Sequence, residues 1–163
     1  MPEIKFIAAI DDKRGIAKSK PGTAGIIPWK LPGDHKYFMD KLHDGPVLSG
    51  WNTFRANGLK PFGVGANYIL TRKDTESYPG VWIIHDLAEF FAKNVDDVWV
   101  AGGGQVFAEA LPHATHLYLT RVSGDFDCDV FFPSFEDDFR LQREEPELVE
   151  NGIKYKYQVW VRR

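Results

Sequence analysis

The sequence predicts one α/β domain over residues 1–163, in which helices flank a mostly parallel central β-sheet with an antiparallel C-terminal edge strand. Short apolar runs of strand length alternate along the chain with segments that carry helix-start signals, an order typical of a parallel sheet covered on both faces. The last two strands are separated by a region without a helical pattern, which indicates antiparallel pairing. A chain of 163 residues, 44% of them hydrophobic, can bury one substantial core.

The spacing of apolar residues, together with capping and turn residues, predicts the individual helices and strands. Asp86-Leu87-Ala88-Glu89 matches a capping box and marks a helix start. In the last strand, tyrosine and valine residues alternate with polar ones. In chain order the sequence predicts a strand at 4–10, a loop at 11–25, a helix at 34–42, a strand at 46–50, a helix from 51, a loop at 58–66, strands at 67–71 and 81–84, a helix from 86 to about 93, a strand at 98–101, a helix from the triple glycine to about 111, and strands at 116–122 and 154–161.

Composition excludes several classes of function. The net charge of −3 gives no electrostatic footprint for nucleic acid or an anionic membrane. No apolar run approaches the roughly 20 residues that span a bilayer, and the N-terminal residues do not resemble a signal peptide. Cys128 is the only cysteine, so an internal disulfide and a cysteine-based zinc site are excluded. We therefore expect a cytoplasmic protein that binds a small molecule and neither nucleic acid nor membrane.

Asp34 is the strongest candidate for a ligand-binding side chain. It follows two prolines and a glycine and opens a predicted helix, on which Phe38 shares its face. Trp29 lies just upstream, so one carboxylate stands beside aromatic rings. Such a site suits a flat, nitrogen-rich heterocycle. From this segment alone, a simple helix N-cap is the other role open to Asp34, and the more common one.

Three strand ends offer groups that suit a phosphate. Gly102-Gly103-Gly104 directly follows a strand and opens a helix, where glycines let an anion approach backbone N–H groups. Thr53 stands in the same strand-to-helix context, and Thr71-Arg72-Lys73 places two cations after another strand. The triple glycine matches neither the dinucleotide fingerprint nor a Walker A loop. A flexible turn, a helix cap and a solvated turn are the respective alternatives.

A metal site is not expected. Asp125-Phe126-Asp127-Cys128-Asp129 has the acidic spacing of a calcium loop, but Val130 occupies the sixth position, where the sharp turn requires glycine. His113 and His116 are three residues apart without an acidic third ligand nearby, which indicates surface or turn histidines.

Taken together and in order, these segments resemble dihydrofolate reductase over nearly the whole chain. No single piece is decisive, but six pieces in register are a specific signal. The matching pieces are Ile7-Ala8-Ala9, Pro28-Trp29-x-Leu31-Pro32-x-Asp34-x-x-x-Phe38, Gly50-x-x-Thr53, Ala101-Gly102-Gly103-Gly104, Leu117-Tyr118-Leu119-Thr120 and Phe132-Pro133.

The resemblance implies hydride transfer from NADPH to 7,8-dihydrofolate, giving tetrahydrofolate. Asp34 would bind the amino-pyrimidine edge of the pterin and favour protonation of its ring, Thr120 would hydrogen-bond Asp34 or the pterin, and Trp29 would hold an ordered water and the adjoining loop. The other implied substrate contacts are Ile7, Ala8, Phe38, Phe62 and Ala101. The implied cofactor contacts are Ala9, Ile16, Gly50, Trp51, Asn52, Thr53, Thr71, Arg72, Gly103, Gly104, Gln105 and Val106. A monomer is the default state that the family implies.

The resemblance also implies two backbone features. Gly102 and Gly103 would be joined by a cis peptide bond, and the loop over residues 16–27 would be a lid that closes over the nicotinamide and excludes water. This loop is longer than the usual bacterial version. Asp129 matches the acid that hydrogen-bonds the lid backbone, which is expected near Ala17.

Two departures from the family pattern bear on ligand choice. Trp51 and Gln105 stand where the family usually has basic residues for the 2′-phosphate, which leaves Arg72, with Lys73, as the replacement contact. The family arginine that clamps the glutamate tail is missing from Gly63-Val64-Gly65-Ala66-Asn67, and Lys60 is the nearest cation. A lysine offers a point charge rather than a fork, so weak binding of the tail, or a substrate without one, is predicted.

Two further readings remain open at this level. The first is a reductase of the same fold that acts on another pterin or on a pyrimidine, although that branch does not typically carry the Trp29-to-Phe38 pattern. The second is a non-catalytic module that binds a pterin or a nucleotide, which would not require both Asp34 and Thr120.

Overall fold

The computed structural model describes residues 1–23, 25–73 and 78–163. Within them, the chain order of elements, which includes a short 3-10 helix at Leu111–His113, is β1 (Ile4–Ile10), β2 (Gly15–Ala17), α1 (Pro32–Leu42), β3 (Val47–Gly50), α2 (Trp51–Ala56), β4 (Asn67–Leu70), β5 (Val81–Ile84), α3 (Leu87–Lys93), β6 (Val98–Val100), α4 (Gly104–Ala110), β7 (His116–Val122), β8 (Val130–Phe131), β9 (Phe139–Glu144), β10 (Leu148–Glu150) and β11 (Ile153–Arg162).

A nine-stranded mixed sheet forms the centre of the molecule. Its order is β10-β11-β7-β1-β6-β3-β4-β5, and β9 pairs with β11. The strands from β7 to β5 run parallel to one another, and β11 is antiparallel to β7, β9 and β10. The predicted α/β class, the mostly parallel sheet and its antiparallel C-terminal part are confirmed.

The C-terminal part of the sheet is larger than predicted. The segment between β7 and β11 contains β8, β9 and β10 rather than only a loop. β11 is therefore not the edge strand, because β9 and β10 both pair with it. β9 is buried only at Phe139 and exposed along its other five residues, so it lacks the alternation that identifies a strand from sequence.

Alternation along β1 divides the core between the two faces of the sheet. Ile4, Phe6 and Ile10 pack into the larger cluster, with residues of α3 and α4. Ile7 points the other way and packs beside Leu42 and three other residues of α1. Helices therefore cover both faces, as the apolar strands predicted.

The predicted strand ends lie at one edge of the sheet. β1, β3, β4 and β6 are parallel, so the segments after Ile10, Gly50, Leu70 and Val100 all leave from their carboxyl ends. In open α/β sheets this edge holds the ligand. None of the helices in the described ranges is both long and apolar enough to cross a bilayer.

Candidate active site

Asp34 lies in the first turn of α1 but does not cap it. The helix begins two residues before the predicted start, at Pro32, whose fixed φ suits a first helical position. The N-cap residue is Leu31, and no side chain caps this end. The N-cap role left open by the sequence is therefore wrong, and the Asp34 carboxylate is available for another purpose.

Thr120, on β7, holds the Asp34 carboxylate. Its Oγ1 donates a 2.7 Å hydrogen bond to Asp34 Oδ1, across 86 residues of sequence. Burial raises the pKa of Asp34 and a nearby Glu150 adds to this, whereas the Thr120 bond and His35 oppose it. The net direction is upward, so this carboxyl group stays protonated to a higher pH than an ordinary aspartate.

Three tyrosines and Glu150 surround Asp34, and sequence reasoning gave none of them a role at the site. The rings of Tyr37 and Tyr157 stack with centroids 3.9 Å apart, and burial raises the pKa of Tyr37 to about 12. Tyr155 packs edge-on against Tyr157. The Glu150 carboxylate accepts a 2.9 Å hydrogen bond from the N–H of Gly33, the residue before Asp34. Neutral phenols and a second carboxylate thus flank the acid.

An apolar wall is built from the predicted substrate contacts. Ile7, Phe62 and Ala101 belong to one buried cluster, and Phe38 packs against it. The Phe38 and Phe62 rings meet edge to face at 6.0 Å. Ala8 packs against the other face of the sheet, so its side chain does not join this wall. Aromatic and aliphatic surfaces of this kind suit the faces of a flat ring system.

Trp29 anchors the chain just before α1. It is buried in a cluster with Leu31, Val122 and Tyr155, and its ring packs edge-on against Phe126 at 5.2 Å. This packing fixes the end of the lid segment relative to β7 and β11.

A groove of about 1120 Å³ lies at the carboxyl edge of the sheet. All predicted cofactor contacts line it except Ala9 and Ile16, which lie outside it. Gly22 and Thr23 of the expected lid also line it. The lining residues to which the sequence gave no role at the groove are Arg55, Leu70, His85, Asp86, Leu87, Ala88, Glu109, His113 and Val130. Several of them belong to the start of α3 or to the end of α4, which the sequence did not direct towards the groove.

Glycines keep the floor of this groove open. Gly50 N–H donates to the Gly102 carbonyl at 2.8 Å, so the turns after β3 and β6 are joined. The peptide between Gly102 and Gly103 is cis, as the resemblance implied. A Cβ on Gly103 would lie 3.3 Å from Thr53 Oγ1, and one on Gly104 would lie 2.9 Å from Val130 Cγ1. A Cβ at either position would crowd these neighbours, so glycine is required, and glycines at a strand-to-helix turn let a phosphate approach the backbone N–H groups; the residues fit such a group.

The two positions at which the family usually has basic residues are neutral in this groove, and two cations lie after β4. Trp51 packs against Phe54 and Tyr78 with ring centroids 5.8 and 6.2 Å away, and carries no charge. Gln105 Nε2 lies 3.4 Å from a Glu109 carboxylate oxygen. Arg72 and Lys73 are exposed and line the groove after β4.

The lid is more ordered than the predicted loop. β2 pairs antiparallel with β8, and the segment beyond it folds back through reciprocal backbone hydrogen bonds between Lys18 and Ile26. The Asp129 carboxylate accepts from the Ser19 N–H and hydroxyl, each at 2.6 Å, and Asp129 N–H donates to the Ala17 carbonyl. The expected link between Asp129 and the lid backbone is present, with Ser19 as the partner of the carboxylate.

The loop over residues 63–67 packs closely against the end of α1. Val64 N–H donates to the His43 carbonyl at 2.7 Å. A Cβ on Gly65 would overlap the Asp44 carbonyl oxygen, so this backbone admits no side chain there. The buried Asn67 amide pins the loop through bonds with the Phe62 backbone and the Gly65 carbonyl.

The acidic stretch 125–129 makes protein contacts. Asp125 pairs with Lys13 at 2.9 Å and also accepts from the Asp127 N–H, while Asp129 holds the lid. Within the described ranges, no group of three or more His, Cys, Asp or Glu side chains is arranged to hold a metal ion.

Comparisons with known proteins agree on one family. A family model described as dihydrofolate reductase matches residues 3–162. Dihydrofolate reductase type A13 of Escherichia coli is 31% identical over 163 residues, covering 98% of this chain and 94% of the relative. The Aedes albopictus dihydrofolate reductase is 28% identical, covering 98% and 97%.

A solved structure shares the fold over the same length. Dihydrofolate reductase from Enterococcus faecalis, complexed with NADP(H) and RAB-propyl, aligns with a TM-score of 0.83 at 27% sequence identity. The alignment covers 98% of this chain and 96% of that chain. The family model, these relatives and the Asp34–Thr120 pair beside a groove floored by glycines lead to one assignment: the chain belongs to the dihydrofolate reductase family.

Proposed function

We propose that this protein reduces 7,8-dihydrofolate to tetrahydrofolate with NADPH, and that Asp34 assists protonation of the pterin. The observation that carries the proposal is the hydrogen bond from Thr120 to a carboxyl group of raised pKa, next to an apolar wall. Ala101 belongs to that wall and Gly103, two residues later, lines the groove, so the two ligand sites adjoin.

The residues around Asp34 divide the work on the substrate. The Asp34 carboxyl group accepts hydrogen bonds from an amino-pyrimidine edge and favours protonation of the ring, and burial raises its pKa in the direction that this role requires. Ile7, Phe38 and Ala101 pack against the ring faces, and Thr120 fixes the direction of the carboxylate. Trp29 positions an ordered water and holds the lid segment.

The groove residues hold the cofactor. NADPH, when bound, supplies the hydride. Thr53 and the glycines after β6 line the groove and would hold its diphosphate, and Arg72 with Lys73 would pair with its 2′-phosphate. Ala9 and Ile16 offer backbone groups to the nicotinamide carboxamide. The lid covers this end and excludes water.

A steady-state assay of the purified protein tests the proposal. Dihydrofolate is supplied with NADPH and, in parallel, with NADH, and the nicotinamide absorbance is followed. Turnover with NADPH supports the proposal. Turnover mainly with NADH would mean that the neutral side chains Trp51 and Gln105 have changed the cofactor. Absence of turnover, with cofactor binding intact, would refute dihydrofolate as the substrate.

A pterin without a glutamate tail is a second candidate substrate, and the loop over residues 63–67 favours it. The backbone at Gly65 is blocked by the Asp44 carbonyl, so this part of the wall offers no cation to a tail carboxylate. Losing a bidentate charged partner costs about 1.5–3 kcal/mol of binding.

Comparison of dihydrofolate with a dihydropterin lacking the glutamate separates these substrates. We expect the two KM values to be similar. If dihydrofolate binds far better, and Lys60→Ala leaves its KM unchanged, another group recognises the tail and this account of the loop is wrong.

We infer further that the protein acts as a monomer in the cytoplasm and binds neither nucleic acid nor membrane. The net charge of −3 supports the absence of a nucleic-acid or membrane partner, the single cysteine fits a reducing compartment, and the monomer is the default state of the family. Light scattering after size-exclusion chromatography should give the mass of one chain, 18.5 kDa. Twice that mass would refute the monomer.

A further inference from the structure

Arg55 is a cation in the cofactor groove to which neither the sequence motifs nor the roles above assign a purpose. It lies on α2 four residues after Trp51, so the two side chains share one face of the helix, and both line the groove. Its side chain is exposed, and over residues 1–23, 25–73 and 78–163 no carboxylate or other side chain pairs with its guanidinium. An arginine left unpaired at the rim of a groove is available to an anionic ligand.

The tip of the lid lies directly beside this guanidinium. A Cβ on Gly22 would be 3.7 Å from Arg55 Nη2, which is van der Waals distance. Gly22 and Thr23 also line the groove. The tip is held in place by the Lys18–Ile26 backbone pair and by Thr23, whose Oγ1 donates to the Lys20 carbonyl. Arg55 therefore stands where the lid meets α2.

The cations of the groove come from two elements, α2 and the segment after β4. The lid leaves from β1, and β6 and β3 lie between β1 and β4. Arg55 lines the same groove as the Gly103–Gly104 turn and lies beside Gly22 of the lid. Arg72 and Lys73 line the groove from the segment after β4. The groove thus has two separate cationic centres.

We propose that Arg55 binds the diphosphate of the nicotinamide cofactor and couples it to the closed position of the lid tip. The proposal rests on the use of a nicotinamide dinucleotide proposed above. The planar guanidinium can donate two parallel hydrogen bonds to phosphate oxygens held between Thr53 and Gly103. Its contact with Gly22 places the lid over the same group. Because NADPH and NADH share the diphosphate, Arg55 contributes equally to both, whereas Arg72 distinguishes them.

Cofactor binding by an Arg55→Gln variant tests this assignment. Dissociation constants of NADPH, NADH and adenosine 2′-monophosphate are measured on the full chain by quenching of tryptophan fluorescence. We expect Arg55→Gln to raise the dissociation constants of NADPH and NADH alike, by about tenfold. This is the low end of the effect of losing a charge-assisted hydrogen bond, because the site is exposed. Binding of adenosine 2′-monophosphate, which lacks the diphosphate, should not change.

Two variants serve as matched controls. Arg72→Gln should weaken the binding of NADPH and of adenosine 2′-monophosphate but leave the binding of NADH unchanged. Arg140→Gln removes the same charge from an exposed position on β9 and should change none of the three constants. Arg55→Lys should recover only part of the lost affinity, because it keeps the charge but not the fork.

Three results would overturn the assignment. If Arg55→Gln lost affinity for NADPH alone, Arg55 would lie at the 2′-phosphate. Unchanged affinity for both dinucleotides would remove Arg55 from the binding site. Wild-type protein that binds neither dinucleotide would refute the proposed function and, with it, the role of Arg55.

Discussion

At the scale of single residues, Asp34 combines two properties that one sequence segment could not reveal. Its position after Pro32 and Gly33 is local, but its partner Thr120 comes from a strand 86 residues away. Burial makes the carboxyl group costly to ionise, and the Thr120 hydroxyl recovers part of that cost. The result is a carboxyl group that stays protonated to a higher pH than an exposed aspartate.

Asp34→Asn should abolish most turnover without destabilising the fold. The amide oxygen can still accept the Thr120 bond, but no proton is supplied, so we expect kcat to fall by about 10²–10⁴-fold while the Kd for NADPH stays the same. The folded-state pKa of Asp34 is raised, so ionising it costs stability once the pH exceeds its unfolded pKa. The Tm of the variant at neutral pH should therefore equal or exceed that of the wild type.

Asp40→Asn is the control for Asp34→Asn. Asp40 is an exposed carboxylate on the same helix, paired with Lys36, and its replacement should leave kcat unchanged. If Asp34→Asn retained wild-type turnover, Asp34 would not assist protonation of the substrate.

The pH dependence of turnover should move in opposite directions when the two neighbours of Asp34 are changed. If Asp34 assists protonation through its own protonated carboxyl group, turnover falls as the pH rises through the Asp34 pKa. Glu150 raises that pKa, so Glu150→Gln should move the decline in turnover to lower pH. The glutamine still offers an acceptor to the Gly33 N–H. Thr120 lowers the Asp34 pKa, so Thr120→Val should move the decline to higher pH. Single-turnover rates measured from pH 5 to 9 give both profiles; shifts in the same direction would contradict this account.

At the scale of elements, the lid is a hairpin tied to the strand segment that follows β7. Asp129 is exposed, and the hydrogen bonds from the Ser19 hydroxyl and N–H lower its pKa, so its carboxylate is ionised at neutral pH. Both bonds connect the lid to residues beside β8 rather than to the buried core. We therefore expect the lid to open without disturbing the rest of the sheet.

Asp129→Ala should loosen the lid and leave the fold intact. We expect weaker NADPH binding and a slower hydride-transfer step, with a Tm within about 2 °C of the wild type, because exposed polar contacts contribute little to global stability. Stopped-flow absorbance and a thermal melt measure these quantities. Asp137→Ala, at an exposed turn before β9, is the matched control. Equal hydride-transfer rates in the two variants would show that Asp129 does not govern the lid.

At the scale of the whole molecule, the parallel part of the sheet could be predicted because its strands are apolar on both faces. β1, β5 and β7 have the predicted bounds. β9 and β10 could not be predicted, because their exposed residues carry no period and only their pairing with β11 makes them strands. β2 was assigned to a loop for the same reason, since three residues depend on β8 for their hydrogen bonds.

The residues of the candidate site, like the strands, can be predicted from sequence only where a local pattern marks them. Residues next to glycines or prolines, such as Asp34, Thr53 and Gly103, could be selected from local patterns. Glu150 and Arg55 could not, because Glu150 reaches Asp34 through the fold and Arg55 reaches the groove only from one face of a short helix. Arg55 did carry one signal, its spacing of four from Trp51 on a helix that opens at the groove.

Cofactor binding should stabilise the molecule as a whole, because the groove joins the turns after β3, β4 and β6 to the lid. NADPH at 100 times its Kd should add about 2.7 kcal/mol to the free energy of unfolding, which corresponds to a rise in Tm of roughly 5–11 °C for a domain of this size. At equal concentration NADH should give a smaller rise, because it lacks the 2′-phosphate for which Arg72 is the proposed partner. Differential scanning fluorimetry with both cofactors measures the two shifts, and Arg72→Gln should make them equal. A larger shift with NADH in the wild type would show that the groove recognises the dinucleotide without its 2′-phosphate.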